Sequence, residues 1–130
     1  MKSLFCISAA ILLSATALAA RADTGECAKY KASYDVTYCF AKLFLESDKE
    51  LNTVYSDLRG AIKEPVKQTL KQTQLDWIKY RNAACEESGS INVDCNYRVN
   101  RERTEYLRDR LRECRAGTCR DDMIARHSWN

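Results

Sequence analysis

Histidine is nearly missing from this chain of 130 residues; the single one, His127, stands close to the C-terminal end. A nucleophile activated by a neighbouring imidazole therefore has no second member in the body of the sequence, and a zinc site built on histidine has too few ligands. No two cysteines are spaced C-x-x-C, which removes the usual zinc and thiol-redox patterns. No glycine-rich stretch could cradle a phosphate. Proline occurs once and glycine four times, so turn signals are few and long helices are the natural reading. Lysine is absent after Lys79, where nine arginines between Arg98 and Arg126 replace it.

What is present begins with a charged residue, Lys2, and an apolar run over residues 4–18. The run is about 15 residues, short of the roughly 20 that span a bilayer. Small-x-small patterns follow at Ala17-Leu18-Ala19 and Ala20-Arg21-Ala22. Residues 1–22 read as a secretory signal peptide, which leaves residues 23–130 as one domain with a core over 27–115 and a tail over 116–130. Cys6 lies inside the apolar run rather than at its end, where lipidation would need it, so no membrane insertion or lipid anchor is expected.

Export to an oxidising compartment, periplasmic or secreted, makes disulfides the expected state of the remaining six cysteines: Cys27, Cys39, Cys85, Cys95, Cys114 and Cys119. The formal net charge of +3 falls slightly when the leader is lost, and does not call for a nucleic-acid partner. The arginines of the last third are interleaved with Glu102, Glu105, Asp109 and Glu113 at helical spacing, which cancels their field.

Three apolar stripes recur at steps of 3 and 4. The first runs Val36, Phe40, Leu43, Phe44, Leu51, Val54, Tyr55, Leu58, Ile62, with Ser47 in its one gap. The second, from Pro65 to about residue 87, runs Val66, Leu70, Gln74, Trp77, Arg81, Ala84. The third runs Val99, Arg103, Tyr106, Leu107, Leu111 and ends near Gly117, with Asp94 as its N-cap. The tail beyond Cys119 has room for one further turn. Short connections then give an all-α, antiparallel three-helix bundle stapled by disulfides.

That topology sorts the cysteines. Cys114–Cys119 is isolated at one end, because Cα atoms more than about 7 Å apart cannot be bridged. At the other end Cys27–Cys39 and Cys85–Cys95 are favoured, with the crossed set Cys39–Cys95 and Cys27–Cys85 as the alternative.

Gln74, Arg81 and Arg103 occupy positions where the stripes call for a hydrophobe, and Asp48 lies at the edge of the first stripe. A charge there is costly unless paired. Folding the first helix onto the second about residue 62, and the second onto the third about residue 90, puts Asp48, Trp77 and Arg103 in one layer. The expectation is an Asp48–Arg103 ion pair beside Trp77, with Arg81 one turn away, acting as a polar layer that fixes helix register.

The same residues carry a resemblance. Cys39-Phe40-Ala41-Lys42, Asp48, Leu51-Asn52 and Tyr55, then Gln74, Trp77-Ile78-Lys79-Tyr80-Arg81 and Cys85, then Cys95, Val99, Arg103 and Leu107, are similar to the three helical motifs of the LprI-like family. Glu26-Cys27-Ala28-Lys29 resembles its N-terminal cysteine element. The likeness covers about residues 27–111. Asn82, where the family usually has an acid, and the Cys114/Cys119 pair depart from it. The resemblance implies an exported helical binding protein, not an enzyme, that inhibits lysozyme; an interaction module with an unrelated protein partner is the alternative. No cofactor and no metal are expected. The segment expected to enter a lysozyme cleft spans residues 86–94, with Ser88 and Ser90 as donors and Glu86, Glu87 and Asp94 as the local acids.

Overall fold

The computed structural model describes residues 25–129, so the expected leader and Cys6 lie outside the described residues. Helix α1 covers Gly25–Ala28, α2 Ser33–Ala61, α3 Val66–Ala84, α4 Val93–Arg115 and α5 Asp121–Ile124. A two-stranded ribbon, β1 Glu86–Glu87 and β2 Ser90–Ile91, joins α3 to α4. The described residues are all-α apart from this ribbon. Among the described residues, no helix is long and apolar enough to cross a membrane.

The three long helices follow the apolar periodicity. Leu51, Val54 and Leu58 of α2, Leu70 and Trp77 of α3, Leu107 and Leu111 of α4 and Ile124 of α5 form one buried cluster with Ile62. Each such large side chain contributes about 1.5–3 kcal/mol by leaving water. Helix α2 starts three residues before the stripe does, at Ser33. Helix α3 starts one residue after Pro65, whose carbonyl accepts from Gln68 and Thr69, and it stops at Ala84 rather than running on to residue 87.

Helices α2 and α4 lie side by side along most of their lengths. Their cross-links, Asn100 to Ser47 and Arg115 to Asp57, advance together along both helices, so the two run parallel with α3 antiparallel to them. The seam is made of small polar residues, Ser47 and Thr104, both buried. Their hydroxyls are satisfied within their own helices, by the carbonyls of Phe44 and Asn100 at 2.8 Å each. A hydroxyl bonded back to its own helix leaves no unmet polar demand in the seam. Helix α3 stands further off, and Trp77 with the guanidinium groups of Arg81 and Arg103 fills the gap.

Three disulfides staple this frame. Cys27–Cys39 holds α1 on α2, Cys85–Cys95 closes the ribbon, and Cys114–Cys119 closes the turn after α4. Gly117, at φ 79°, supplies the left-handed residue that this last turn requires.

Candidate functional site

The ribbon is the part of the fold that the helical pattern did not define. Glu86 pairs with Ile91 and Glu87 with Ser90, antiparallel. Ser88 and Gly89 take φ 51° and 76°, the two left-handed residues of a type I′ turn, whose twist matches that of a hairpin. The ladder continues one step, because Asn92 N–H donates to Cys85 O at 2.9 Å. The Cys85–Cys95 bond, with Cα atoms 5.4 Å apart, then closes the base.

Asn92, not Asp94, caps α4. Its side-chain oxygen accepts from Cys95 N–H at 3.0 Å, and its carbonyl accepts from the Asn96 side chain at 2.9 Å. The reason is where the hairpin ends: Asn92 is the last residue of the ladder and the first that can turn into a helix. Asp94 falls two residues further on, within the first turn and near Arg98 at 3.4 Å, where a carboxylate still favours the positive end of the helix.

Glu86, Glu87, Ser88 and Ser90 are all exposed, and Ile91 is the most exposed aliphatic side chain of this end, at 72%. On one flank of the hairpin lies a groove walled by Val36, Thr37 and Phe40 of α2. On the other lies a groove walled by Phe44, Arg81 and Asn96. The hairpin is thus a projecting, covalently closed element with an acidic first strand and an apolar residue on its second.

Beneath it sits the polar layer. Arg81 Nη1 donates to Asp48 Oδ1 at 3.1 Å and to Asn100 Oδ1 at 3.0 Å. Asn100 is fully buried and donates to Ser47 Oγ and to Asp48 Oδ1, each at 3.3 Å. The Arg81 guanidinium also lies over the rings of Phe44 and Trp77, at 5.6 and 5.3 Å. Asp48 accepts a third bond, from Asn52, at 3.2 Å.

Arg103 does not reach Asp48, and the expected Asp48–Arg103 pair is replaced by Asp48–Arg81. Residues 62–65 are not helical, so the fold-back between α2 and α3 is centred two to three residues later than residue 62. That shift carries the partner of Asp48 from near Trp77 to Arg81, about one turn along α3. Arg103 instead donates from Nε to Gln74 Oε1 at 3.1 Å and lies over Trp77, Tyr106 and Trp129 at 6.0, 5.5 and 5.0 Å. Burial pushes its pKa down to about 10, which still leaves it a cation at neutral pH.

Asn100 and Trp129 escaped sequence reasoning. The gap at Ser47 was the one sign of Asn100, since a polar position in a stripe asks for a polar partner; Trp129 lies in a tail with no periodicity to read. The remaining arginines of α4 are mostly paired. Arg110 meets Glu113 at 2.7 Å, Arg115 meets Asp57 at 3.3 Å, Arg108 meets Glu50 and Glu105, and Arg112 meets Asp109. No continuous basic face results. Among the described residues no cluster of His, Cys, Asp or Glu could hold a metal ion.

The described residues form a disulfide-stapled helical domain that displays a covalently closed hairpin. Residues 26–107 match the family model described as lysozyme inhibitor LprI, and the chain belongs to that family. No curated protein and no solved structure matches the chain.

Proposed function

We propose that this protein is an exported inhibitor of a lysozyme-type muramidase and that the hairpin between Cys85 and Cys95 is the element that enters the enzyme's cleft. The observation that carries the reading is the covalently closed type I′ hairpin with its tip wholly exposed, on a chain of the LprI family. Lysozyme cleaves glycosidic bonds with two carboxyl groups in a cleft. The tip offers hydrogen-bond donors to them: the Ser88 hydroxyl and the Ser90 hydroxyl. A tip held by a disulfide and a two-residue turn loses little conformational freedom on docking. Glu86 and Glu87 supply local negative charge facing a cationic enzyme, while Ile91 can bury apolar surface at the cleft's edge. Residence in a periplasm or outside the cell follows from the same reading, and agrees with three disulfides.

The test is a cell-wall turbidity assay with the disulfide-bonded protein and lysozymes of several types. Inhibition at stoichiometric amounts, lost on replacing Ser88 and Ile91 together by aspartate, supports the proposal. Absence of inhibition of every type at micromolar excess overturns it. The second reading, an interaction module with an unrelated protein partner, draws on a different surface. Tyr34 and Tyr38 of α2 stack on each other and are 78% and 58% exposed, and Leu45 is 66% exposed, an apolar display that blocking a cleft with the hairpin does not use.

A further inference from the structure

About two turns along α4 from Cys95, on the side that α3 and the C-terminal tail share, lies a cavity of about 370 Å³ that the inhibitor reading does not use. Arg103, 2% exposed, lies in its wall. The Nε–H of Arg103 is taken by Gln74. Nη1 and Nη2 are buried and have no hydrogen-bond partner among the described residues. A guanidinium buried this deeply is costly to leave half-bonded.

The surroundings select the kind of group that would meet those N–H bonds. The Arg103 guanidinium carbon lies within 6.0 Å of the ring centroids of Trp77, Tyr106 and Trp129, so aromatic rings surround the cation and its two Nη groups are the donors left to satisfy. That pair matches a carboxylate in the two-bond, fork-to-fork manner. The Tyr106 hydroxyl is already spent on the Met123 carbonyl. Glu102 also borders the cavity. As the neighbour of Arg103 in sequence it projects from a different side of the helix and is exposed, so it does not pair with the Nη groups and places a negative charge at the rim. A dianion meeting that charge and aromatic walls would lose more hydration than it regained; a flat monoanion with an apolar body would not.

We propose that this cavity is a binding site for a monocarboxylate attached to an apolar or planar body, held by two hydrogen bonds from Arg103 and packed against Trp77 and Trp129. The carboxylate can belong to a free organic acid or to the carboxyl terminus of a peptide, and the experiment separates the two. Trp77 and Trp129 are the two tryptophans of the chain and both line the cavity, so intrinsic fluorescence reports on it without a label.

The full chain, with its disulfides intact, is titrated at fixed ionic strength with benzoate, benzamide, N-acetyl-alanyl-phenylalanine, the C-terminal amide of that peptide, and inorganic phosphate. The expected result is a saturable change in tryptophan emission with at least one of the two carboxylates, at a Kd in the region of 1 mM, for about −4 kcal/mol of binding. Benzoate alone marks a free acid and the peptide acid alone a chain terminus. Arg103→Lys keeps the charge and loses the fork, and should weaken binding about tenfold or more. If that variant does not fold, Trp129→Ala, at the tail side of the cavity, should weaken binding with the helical core intact. An amide that binds as tightly as its acid overturns the proposal. So does phosphate in preference to both carboxylates, a response equal in wild type and variants, or no saturable change with either carboxylate.

Discussion

Asp48 and Arg81 meet at 3.1 Å across thirty-three residues of sequence. Arg81 is only 13% exposed at this contact and Asp48 41%, and the same guanidinium nitrogen reaches Asn100 on α4. One side chain of α3 therefore ties together the two parallel helices.

Removing one partner should show this. Asp48→Ala is expected to lower Tm clearly, because it strips the carboxylate from both Arg81 and Asn100. In a double-mutant cycle, Asp48→Ala and Arg81→Met should couple by about 1 kcal/mol, discounted for the exposure of Asp48. Asp48→Ala and Arg103→Lys should be additive within about 0.5 kcal/mol, since these sites share no partner. Coupling to Arg103 instead of Arg81 would contradict the observed pairing.

The ribbon depends on its closure. Replacing Cys85 and Cys95 together by serine opens a short loop, and the chain-entropy model puts the loss at about 3 kcal/mol. Urea unfolding should report a lower midpoint. If the hairpin is the inhibitory element, inhibition should weaken by more than the loss of folded protein accounts for.

Two glycines should respond in opposite directions. Gly89 has φ 76°, and a Cβ there meets nothing within 4 Å. Gly89→Ala therefore costs only backbone strain, about 1 kcal/mol. Gly60 lies within α2 and is also uncrowded, so Gly60→Ala should stabilise by about 0.5–1 kcal/mol through the unfolded chain. Thermal melts of the two variants check both signs.

Acid should single out Asp76. The Gln72 side chain donates to both its carboxylate oxygens, at 3.1 and 3.2 Å, and this is the main cause that holds its carboxyl below 3.8; Lys79 and His127 add to it. A carboxyl whose folded pKa is depressed adds stability at pH values above its unfolded pKa, and loses it as pH falls through the folded value. The Tm difference between wild type and Asp76→Asn should accordingly be constant near neutrality and vanish in strong acid. A difference that persists below pH about 2 would contradict this.

The helices were legible because their cause is local: apolar side chains at steps of 3 and 4 and almost no proline or glycine to interrupt them. The members of the polar layer were legible for a related reason, since Gln74, Arg81 and Arg103 break a stripe. Their pairing was not, because it depends on how the chain crosses residues 62–65, and a non-helical stretch of that length moves the facing residue by a turn. The hairpin escaped because strands of two residues are too short to show alternation; the Ser88-Gly89 pair was its only mark. Aspartate suits a helix cap as well as asparagine does, so residue type alone favours neither Asp94 nor Asn92, and only the end of the ladder gives the role to Asn92.

The parallel course of α2 and α4 brings two helix beginnings, and the finish of α3, to the ribbon end. Partial positive charge from two backbone termini gathers there, about half an elementary charge apiece, against the opposite sign from one. Asp35 and Asp94, each in a first helical turn, offset that surplus. Glu86 and Glu87 then stand as the acids left over to meet a visitor, and counter-ions at physiological strength confine their reach to about 8 Å. A cationic partner would meet these exposed charges through screening water, so added salt should slow its arrival far more than it shortens its stay.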